Sequence, residues 1–217
     1  MTYRLIIFDF DGTLADSARW FVETLNELAP RHGFRPVTEA EAEMLRELGT
    51  AEIIAHLGVA RWRMPFIAAA FRRRAARDIA RIRLFDDVDA VLATLHRSGA
   101  VLAVVSSNAE SNVRRVLGPE TAALVAHFDC GAGLFDKARR FRRLIRRTGM
   151  SPADTLCIGD EQRDMHAAHA VGAAAGAVLW GYATRDMLLG CRPTLTFEHP
   201  RDITAALCVP ECTTSES

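Results

Sequence analysis

The chain has 217 residues, of which 49% are hydrophobic and 25% charged, a balance typical of an ordinary globular protein. This composition excludes a disordered chain, a collagen and a small disulfide-stabilised scaffold. The 27 basic and 27 acidic residues cancel, so no net charge points to a nucleic acid or an anionic membrane as a partner.

Membrane and secretion signals are also missing from the pattern of the sequence. No stretch reaches the roughly 18 apolar residues that a membrane span needs, and the chain does not begin with a signal-peptide pattern. The five cysteines form no CxxC pair and no metal-binding spacing with histidine. We therefore expect reduced thiols and a cytoplasmic protein, with oxidation of Cys208 and Cys212 left open.

Short apolar segments alternate with amphipathic segments along most of the chain. The predicted strands are 3–10, 101–106, 125–130, 155–159 and 175–180, and each has the composition of a strand buried on both faces. The predicted helices that flank them are 88–98, 110–117, 137–148 and 163–171. This alternation predicts a doubly wound α/β domain with a parallel five-stranded sheet.

About ninety residues separate the first two predicted strands, which is too many for a single crossover. Helical periodicity without strand character runs through segments 17–32, 39–48, 51–57 and 62–83. We therefore expect a helical insertion at 17–83, a core built from 1–16 and 84–209, and a polar, disordered tail at 210–217. We expect Trp62, Phe66 and Phe71 to pack in the core of the insertion.

Polar residues follow four of the predicted strands, where ligands bind in an open α/β sheet, so we expect them to meet in one crevice. The first strand ends in Asp9 and Asp11, two carboxylates whose repulsion a divalent cation or a shared proton relieves. A surface turn is the alternative, but it does not account for Asp9. Ser106, Ser107 and Asn108 follow the second strand and suit either a phosphate oxygen or a helix cap.

Two further groups complete the set. Lys137 is the only lysine among 27 basic residues and begins a predicted helix. A cation is unfavourable at a helix N-terminus unless it contacts an anion, although a solvent-exposed lysine is the alternative. Asp160 and Asp164 follow the fourth strand and suit a hard cation such as Mg²⁺, or else an acidic first helical turn.

Taken in order, four segments resemble the motifs of the haloacid dehalogenase (HAD) superfamily, in particular its phosphoglycolate-phosphatase-like members. They are DFDGTLADS at 9–17, VVSSN at 104–108, FDK at 135–137 and IGDEQRD at 158–164. The resemblance implies a Rossmann-like core, and the insertion at 17–83 falls where this family places a helical C1-type cap. It also implies that Asp9 is the nucleophile that forms an aspartyl-phosphate, and that Asp11 is first the general acid and then the general base.

The same resemblance implies a role for each remaining group. Mg²⁺ would be held by the Asp9 carboxylate, the Asp11 backbone carbonyl and Asp160. Ser106, Ser107 and Lys137 would hold phosphoryl oxygens, Thr13 would orient Asp11, and Asp164 would position Lys137 or a water molecule on the metal.

The implied activity is a Mg²⁺-dependent phosphatase for a small phosphorylated metabolite, with phosphoglycolate as the first candidate. An acid at position 11 favours phosphoryl transfer over dehalogenation, because a halide leaving group needs no proton. The alternatives are a phosphomutase of the same fold, a phospho-accepting signalling domain and a non-catalytic HAD-fold binding protein. A phospho-acid substrate would need an arginine from the cap for its carboxylate.

Overall fold

The computed structural model describes residues 3–131 and 136–208, so the predicted tail at 210–217 lies outside the described residues. The described residues form eight strands. In chain order they are β1 (Leu5–Phe8), β2 (Ala15–Asp16), β3 (Arg83–Leu84), β4 (Val101–Val105), β5 (Val125–Asp129), β6 (Thr155–Gly159), β7 (Ala174–Val178) and β8 (Leu195–Phe197).

Six of these strands form one parallel sheet in the order β5-β4-β1-β6-β7-β8. The order reverses at β1, which confirms the predicted doubly wound α/β class. The prediction of five strands is wrong, because β8 pairs in parallel with β7 from Gly176–Leu195 to Val178–Phe197. β8 has only three residues and its middle residue is exposed, so its apolar signal is too short to stand out.

Helices cover both faces of this sheet. In chain order they are α1 (Ala18–His32), α2 (Glu39–Leu45), α3 (Thr50–His56), α4 (Met64–Arg77), α5 (Val88–Arg97), α6 (Glu110–Leu124), α7 (Lys137–Thr148), α8 (Gln162–Ala170), α9 (Arg185–Gly190) and α10 (Pro200–Leu207). Alternate residues of β1 point to opposite faces: Ile6 and Phe8 pack with α5, α6 and α10, and Leu5 and Ile7 pack with α7, α8 and α9. None of the helices in the described ranges is long and apolar enough to cross a membrane.

The first four helices lie between β1 and β4 and build a separate hydrophobic cluster. Its buried members are Leu25, Ala29, Phe34, Val37, Leu45, Leu57 and Ile67. β2 and β3 pair antiparallel where the chain enters and leaves this helical segment, and its division from the core as a domain stays a prediction. Trp62 and Phe66 are 68% and 61% exposed, so the expectation that both pack in the core of the insertion is wrong.

Candidate active site

Three neighbouring strands bring the predicted groups to one edge of the sheet. Phe8 at the end of β1 pairs with Val104 of β4 on one side and with Ile158 of β6 on the other. The residues that follow these strands therefore begin side by side. Asp9, Ser106 and Asp160 are the first polar residues there, and all three are buried.

The two carboxylate oxygens of Asp9 have different surroundings. Oδ1 accepts a hydrogen bond of 2.8 Å from the backbone N–H of Phe10. Oδ2 lies 2.6 Å from Nζ of Lys137 and forms an ion pair with it. One oxygen is thus fixed by the backbone, and the other is in direct contact with the lysine ammonium.

Lys137 begins α7 and is buried in the crevice rather than exposed to solvent. Its ammonium contacts the carboxylates of both Asp9 and Asp164. Burial alone would lower the pKa of Lys137, but the charges of Asp164 and Asp9 outweigh burial and raise it. The lysine therefore stays charged in the site.

The Asp160 carboxylate accepts hydrogen bonds from two donors and packs closely against two glycines. Its Oδ1 accepts 2.8 Å from the Thr13 hydroxyl, and its Oδ2 accepts 2.9 Å from the backbone N–H of Tyr182. A Cβ atom at Gly12 would lie 2.2 Å from Oδ2, and one at Gly181 would lie 2.2 Å from the Asp160 Cβ. Only glycine leaves room for the carboxylate at these two positions. Burial, followed by the neighbouring acidic groups, raises the pKa of Asp160.

The expectation that Thr13 orients Asp11 is wrong, because the Thr13 hydroxyl is bonded to Asp160 instead. Asp11 Oδ1 accepts 3.0 Å from the hydroxyl of Ser17, and Oδ2 accepts 3.4 Å from Nδ2 of Asn108. Burial and then the nearby charge of Asp9 raise the pKa of Asp11 to about 6. This carboxyl group therefore holds a proton more readily than an ordinary aspartate.

Asp164 lies behind Lys137 on the first turn of α8. Its Oδ2 accepts 3.0 Å from the backbone N–H of Glu161, and its Oδ1 contacts the lysine. A Cβ at Gly159 would come within 2.3 Å of the Asp164 Cγ, so the carboxylate packs directly on the end of β6. Burial raises the pKa of Asp164, and the charge of Lys137 opposes this shift.

The loop after β4 places its polar groups on the opposite side of Asp9. The Ser106 hydroxyl is buried and accepts 3.0 Å from the backbone N–H of Asn108. Ser107 is half-buried, and its carbonyl accepts 3.4 Å from Nη1 of Arg72 on α4. A helix of the insertion thus contacts the loop that we predict to bind phosphate.

Other contacts also join the insertion to this edge of the sheet. The Thr50 hydroxyl on α3 donates 2.8 Å to Glu161, and Nε of Arg46 donates 3.0 Å to the Tyr182 carbonyl. The Tyr182 hydroxyl lies 2.7 Å from that of Ser17, which in turn holds Asp11. The helical insertion therefore contacts the residues that surround the acidic cluster at the carboxyl end of the sheet.

Arg163 is a cation of the site that the sequence did not single out. Its Nη2 lies 4.0 Å from Asp9 Oδ2 and 2.6 Å from Glu161 Oε1, while its Nε is buried without a hydrogen-bond partner among the described residues. The available signal was its position inside the IGDEQRD segment, but 25 other arginines made a single arginine hard to notice. Ser17 and Tyr182 were missed as well, since neither belongs to a charged pair in the sequence.

The acidic residues of the crevice form a cluster that fits a divalent cation. Carboxylate oxygens of Asp9, Asp160 and Asp164 lie within 4.8 Å of one another, and all three residues are buried. Oδ2 of Asp9 and Oδ1 of Asp164 both contact the single ammonium of Lys137, so two of the three buried carboxylates share this lysine. Buried carboxylates that repel one another are the ligands that a hard cation takes.

Known proteins resemble this chain in both sequence and fold. A family model described as haloacid dehalogenase-like hydrolase matches residues 6–178. The phosphoglycolate phosphatase of Synechococcus elongatus is 32% identical over 205 residues, which cover 94% of this chain and 97% of that protein. The tyrosine-protein kinase PtkA of Mycobacterium tuberculosis is 30% identical over 201 residues, 85% of this chain and 65% of the kinase.

Solved structures agree on the architecture. The structure of a haloacid dehalogenase-like family hydrolase from Streptococcus pneumoniae superposes with a TM-score of 0.78 and 20% identity, covering 95% of this chain and 99% of that one. At this identity the likeness concerns the fold, and the family follows from the sequence matches. The chain belongs to the haloacid dehalogenase-like hydrolases and is an enzyme of their phosphatase type.

Proposed function

We propose that this phosphatase is Mg²⁺-dependent and hydrolyses a small phosphomonoester through an aspartyl-phosphate on Asp9. The observation that carries the proposal is the pairing of a buried carboxylate, fixed at Oδ1 by the backbone, with a buried ammonium 2.6 Å from its Oδ2. A carboxylate in this setting is held for attack, and the lysine offers the positive charge that an incoming phosphoryl group needs.

The proposed reaction has two steps. In the first, an oxygen of Asp9 bonds to phosphorus, the bond from phosphorus to the ester oxygen breaks, and the leaving alcohol takes its proton from Asp11. In the second, Asp11 takes a proton from a water molecule, whose oxygen attacks the aspartyl-phosphate and releases inorganic phosphate and the Asp9 carboxylate. A pKa of about 6 for Asp11 supports both uses, because the group can hold and release a proton near neutral pH.

The remaining side chains would bind and orient the phosphoryl group. Lys137 and the loop residues Ser106 and Ser107 would contact its oxygens, and Asp164 would keep the lysine in place through their direct contact. Mg²⁺ would be held by the carboxylates of Asp9 and Asp160 and by the Asp11 carbonyl. Bound there, the ion would offset the repulsion between a carboxylate nucleophile and a phosphate dianion.

Phosphoglycolate is the substrate that we propose first. A relative that spans nearly the whole chain carries the name phosphoglycolate phosphatase. Arg72 supports the choice, because its guanidinium reaches the carbonyl of Ser107 from the insertion and so lies at the edge of the proposed phosphate site. A guanidinium there could bind the carboxylate of a small phospho-acid. We also propose a cytoplasmic location, which the thiols of Cys130, Cys157 and Cys191 support, since none of them forms a disulfide within ranges 3–131 and 136–208.

The test is release of inorganic phosphate by the purified protein from p-nitrophenyl phosphate and phosphoglycolate, with Mg²⁺ and then with EDTA. We expect Mg²⁺-dependent turnover that Asp9→Asn abolishes and that Asp86→Asn, at an exposed carboxylate, leaves intact. Turnover that survives in Asp9→Asn would remove the nucleophile. A phosphoryl group passed to a sugar or a protein, rather than to water, would favour a mutase or a kinase.

A further inference from the structure

Asn112 lies on α6 and is only 1% exposed, yet the proposed mechanism gives it no task. Its Nδ2 donates two hydrogen bonds of 3.0 Å, one to the backbone carbonyl of Arg72 on α4 and one to Oδ1 of Asn108. The first partner belongs to the insertion and the second to the loop after β4. A single buried amide thus joins the insertion to the crevice.

The contacts of Asn108 fix which end of its own amide faces Asp11. Its Oδ1 accepts from the backbone N–H of Ala109 at 2.9 Å as well as from Asn112. Both partners are donors, so this atom must be the oxygen, and Nδ2 is left to point at Oδ2 of Asp11 at 3.4 Å. If the amide turned over, an oxygen would face the carboxylate and Nδ2 would face two donors.

We propose that Asn112 is a positioning residue for Asp11, which it orients through the amide of Asn108 and ties to helix α4 of the insertion. The role rests on the proposed function, in which Asp11 protonates the leaving oxygen. The chain of contacts begins at the Arg72 carbonyl, so Asp11 is fully oriented only while α4 lies against α6. Asp11, the proposed proton donor, therefore depends on helix α4 of the insertion for its full orientation.

The consequence is specific to the chemistry of the leaving group. A good leaving group such as p-nitrophenolate departs without a proton, whereas unsubstituted phenol needs one. An Asp11 carboxyl that has lost one restraint should therefore slow the hydrolysis of phenyl phosphate more than that of p-nitrophenyl phosphate. A general loss of folding would slow both substrates equally.

The experiment compares kcat/KM for a series of substituted phenyl phosphates in wild type, Asn112→Ala and Asn112→Asp. The ratio kcat/KM reports the step in which the leaving group departs. We expect kcat/KM for phenyl phosphate to fall about three- to tenfold in Asn112→Ala, the effect of one hydrogen bond, and that for p-nitrophenyl phosphate to change less than about twofold. Asn112→Asp should show a larger split, because its carboxylate faces the Arg72 carbonyl and Asn108 Oδ1.

The matched control is Asn26→Ala, at an amide that bonds the N–H and the carbonyl of Val37 at 2.7 Å within the insertion. It removes the same kind of contact without reaching Asp11, so its dependence on the leaving group should equal that of wild type. An equal loss on all substrates in the Asn112 variants, or no loss, would overturn the role.

A wild-type protein that hydrolyses none of these esters would instead contradict the proposed function. In that event crystal structures of wild type and Asn112→Ala still decide the positioning role. A displaced Asn108 amide in the variant would support it, and an unmoved amide would overturn it.

Discussion

Gly12 is the backbone position at which a single added methyl group should most directly disturb the proposed chemistry. The residue has a φ of +79°, and an added Cβ would lie 2.2 Å from Asp160 Oδ2 and 2.8 Å from its Cγ. Gly12→Ala therefore makes two changes at once. It strains the backbone, and it pushes the Asp160 carboxylate out of its place beside Asp9.

The two effects have different sizes. An alanine in the left-handed region costs roughly 1–2 kcal/mol of unfolding free energy. Relief of the clash requires the carboxylate to move by about 1 Å, because real Cβ contacts closer than 3.0 Å are essentially never seen. A displacement of about 1 Å in a catalytic group can cost roughly 100-fold in rate. We therefore expect kcat/KM to fall about 100-fold and the Mg²⁺ concentration for half-maximal activity to rise.

Gly149→Ala is the matched control, because Gly149 ends α7 with a φ of +67° and has no atom within 4 Å of an added Cβ. Urea unfolding should show a loss of roughly 1–2 kcal/mol in Gly149→Ala and at least that loss in Gly12→Ala. Phosphate release, measured over a Mg²⁺ titration, should be impaired only in Gly12→Ala. A Gly12→Ala enzyme with more than half of the wild-type activity and an unchanged Mg²⁺ titration would refute the reasoning.

Four other predictions follow from named contacts. Arg72→Gln should raise KM for phosphoglycolate about tenfold and leave KM for p-nitrophenyl phosphate unchanged, whereas Arg73→Gln, at an exposed neighbour, should change neither KM. A KM for phosphoglycolate that is the same in Arg72→Gln and wild type would exclude Arg72 from substrate binding. The raised pKa of Asp11, about 6 when folded, means that its ionised form destabilises the fold as pH rises through 6. In EDTA, Asp11→Asn should therefore be more stable than wild type at pH 7, and this gain should shrink towards pH 4; a gain independent of pH in urea unfolding would contradict the assignment. Mg²⁺ should raise the melting temperature of wild type but not of Asp160→Asn, and equal shifts in both by calorimetry would place the ion elsewhere. A thiol reagent at pH 8 should spare Cys157 until urea unfolds the chain, because burial raises the pKa of this thiol; mass spectrometry that finds it modified in the folded protein would count against its burial.

Most of the sheet could be predicted because its central strands are long enough to show their pattern. The predicted strand 155–159 coincides with β6, and the predicted helix 137–148 coincides with α7. β8 and the pair β2–β3 could not be predicted, since three or two residues carry no measurable periodicity. Gly118 confirms one predicted boundary, since its φ of 74° and ψ of 164° are non-helical and the predicted helix 110–117 stops there. The second helical segment of α6, which runs from Pro119 to Leu124, was not predicted.

The site was predictable where the residue types themselves are unusual in their positions. Asp9 at the end of an apolar strand and a single lysine at a helix N-terminus are such signals, and the structure brings the two side chains together. Side-chain partners were not predictable, because they depend on three-dimensional packing. Thr13 is bonded to Asp160 rather than to Asp11, and Asn112 gives no sign in the sequence of its contact with Arg72.

The central claim is that an oxygen of Asp9 takes the phosphoryl group from the substrate. The most direct measurement is rapid acid quench of Asp11→Asn during turnover with Mg²⁺ and p-nitrophenyl phosphate, followed by peptide mass spectrometry. We predict a phosphoryl group on Asp9, in an amount approaching one per chain and absent from Asp9→Asn. A phosphoryl group on another side chain, or wild-type turnover with none on Asp9 in either enzyme, would contradict the account.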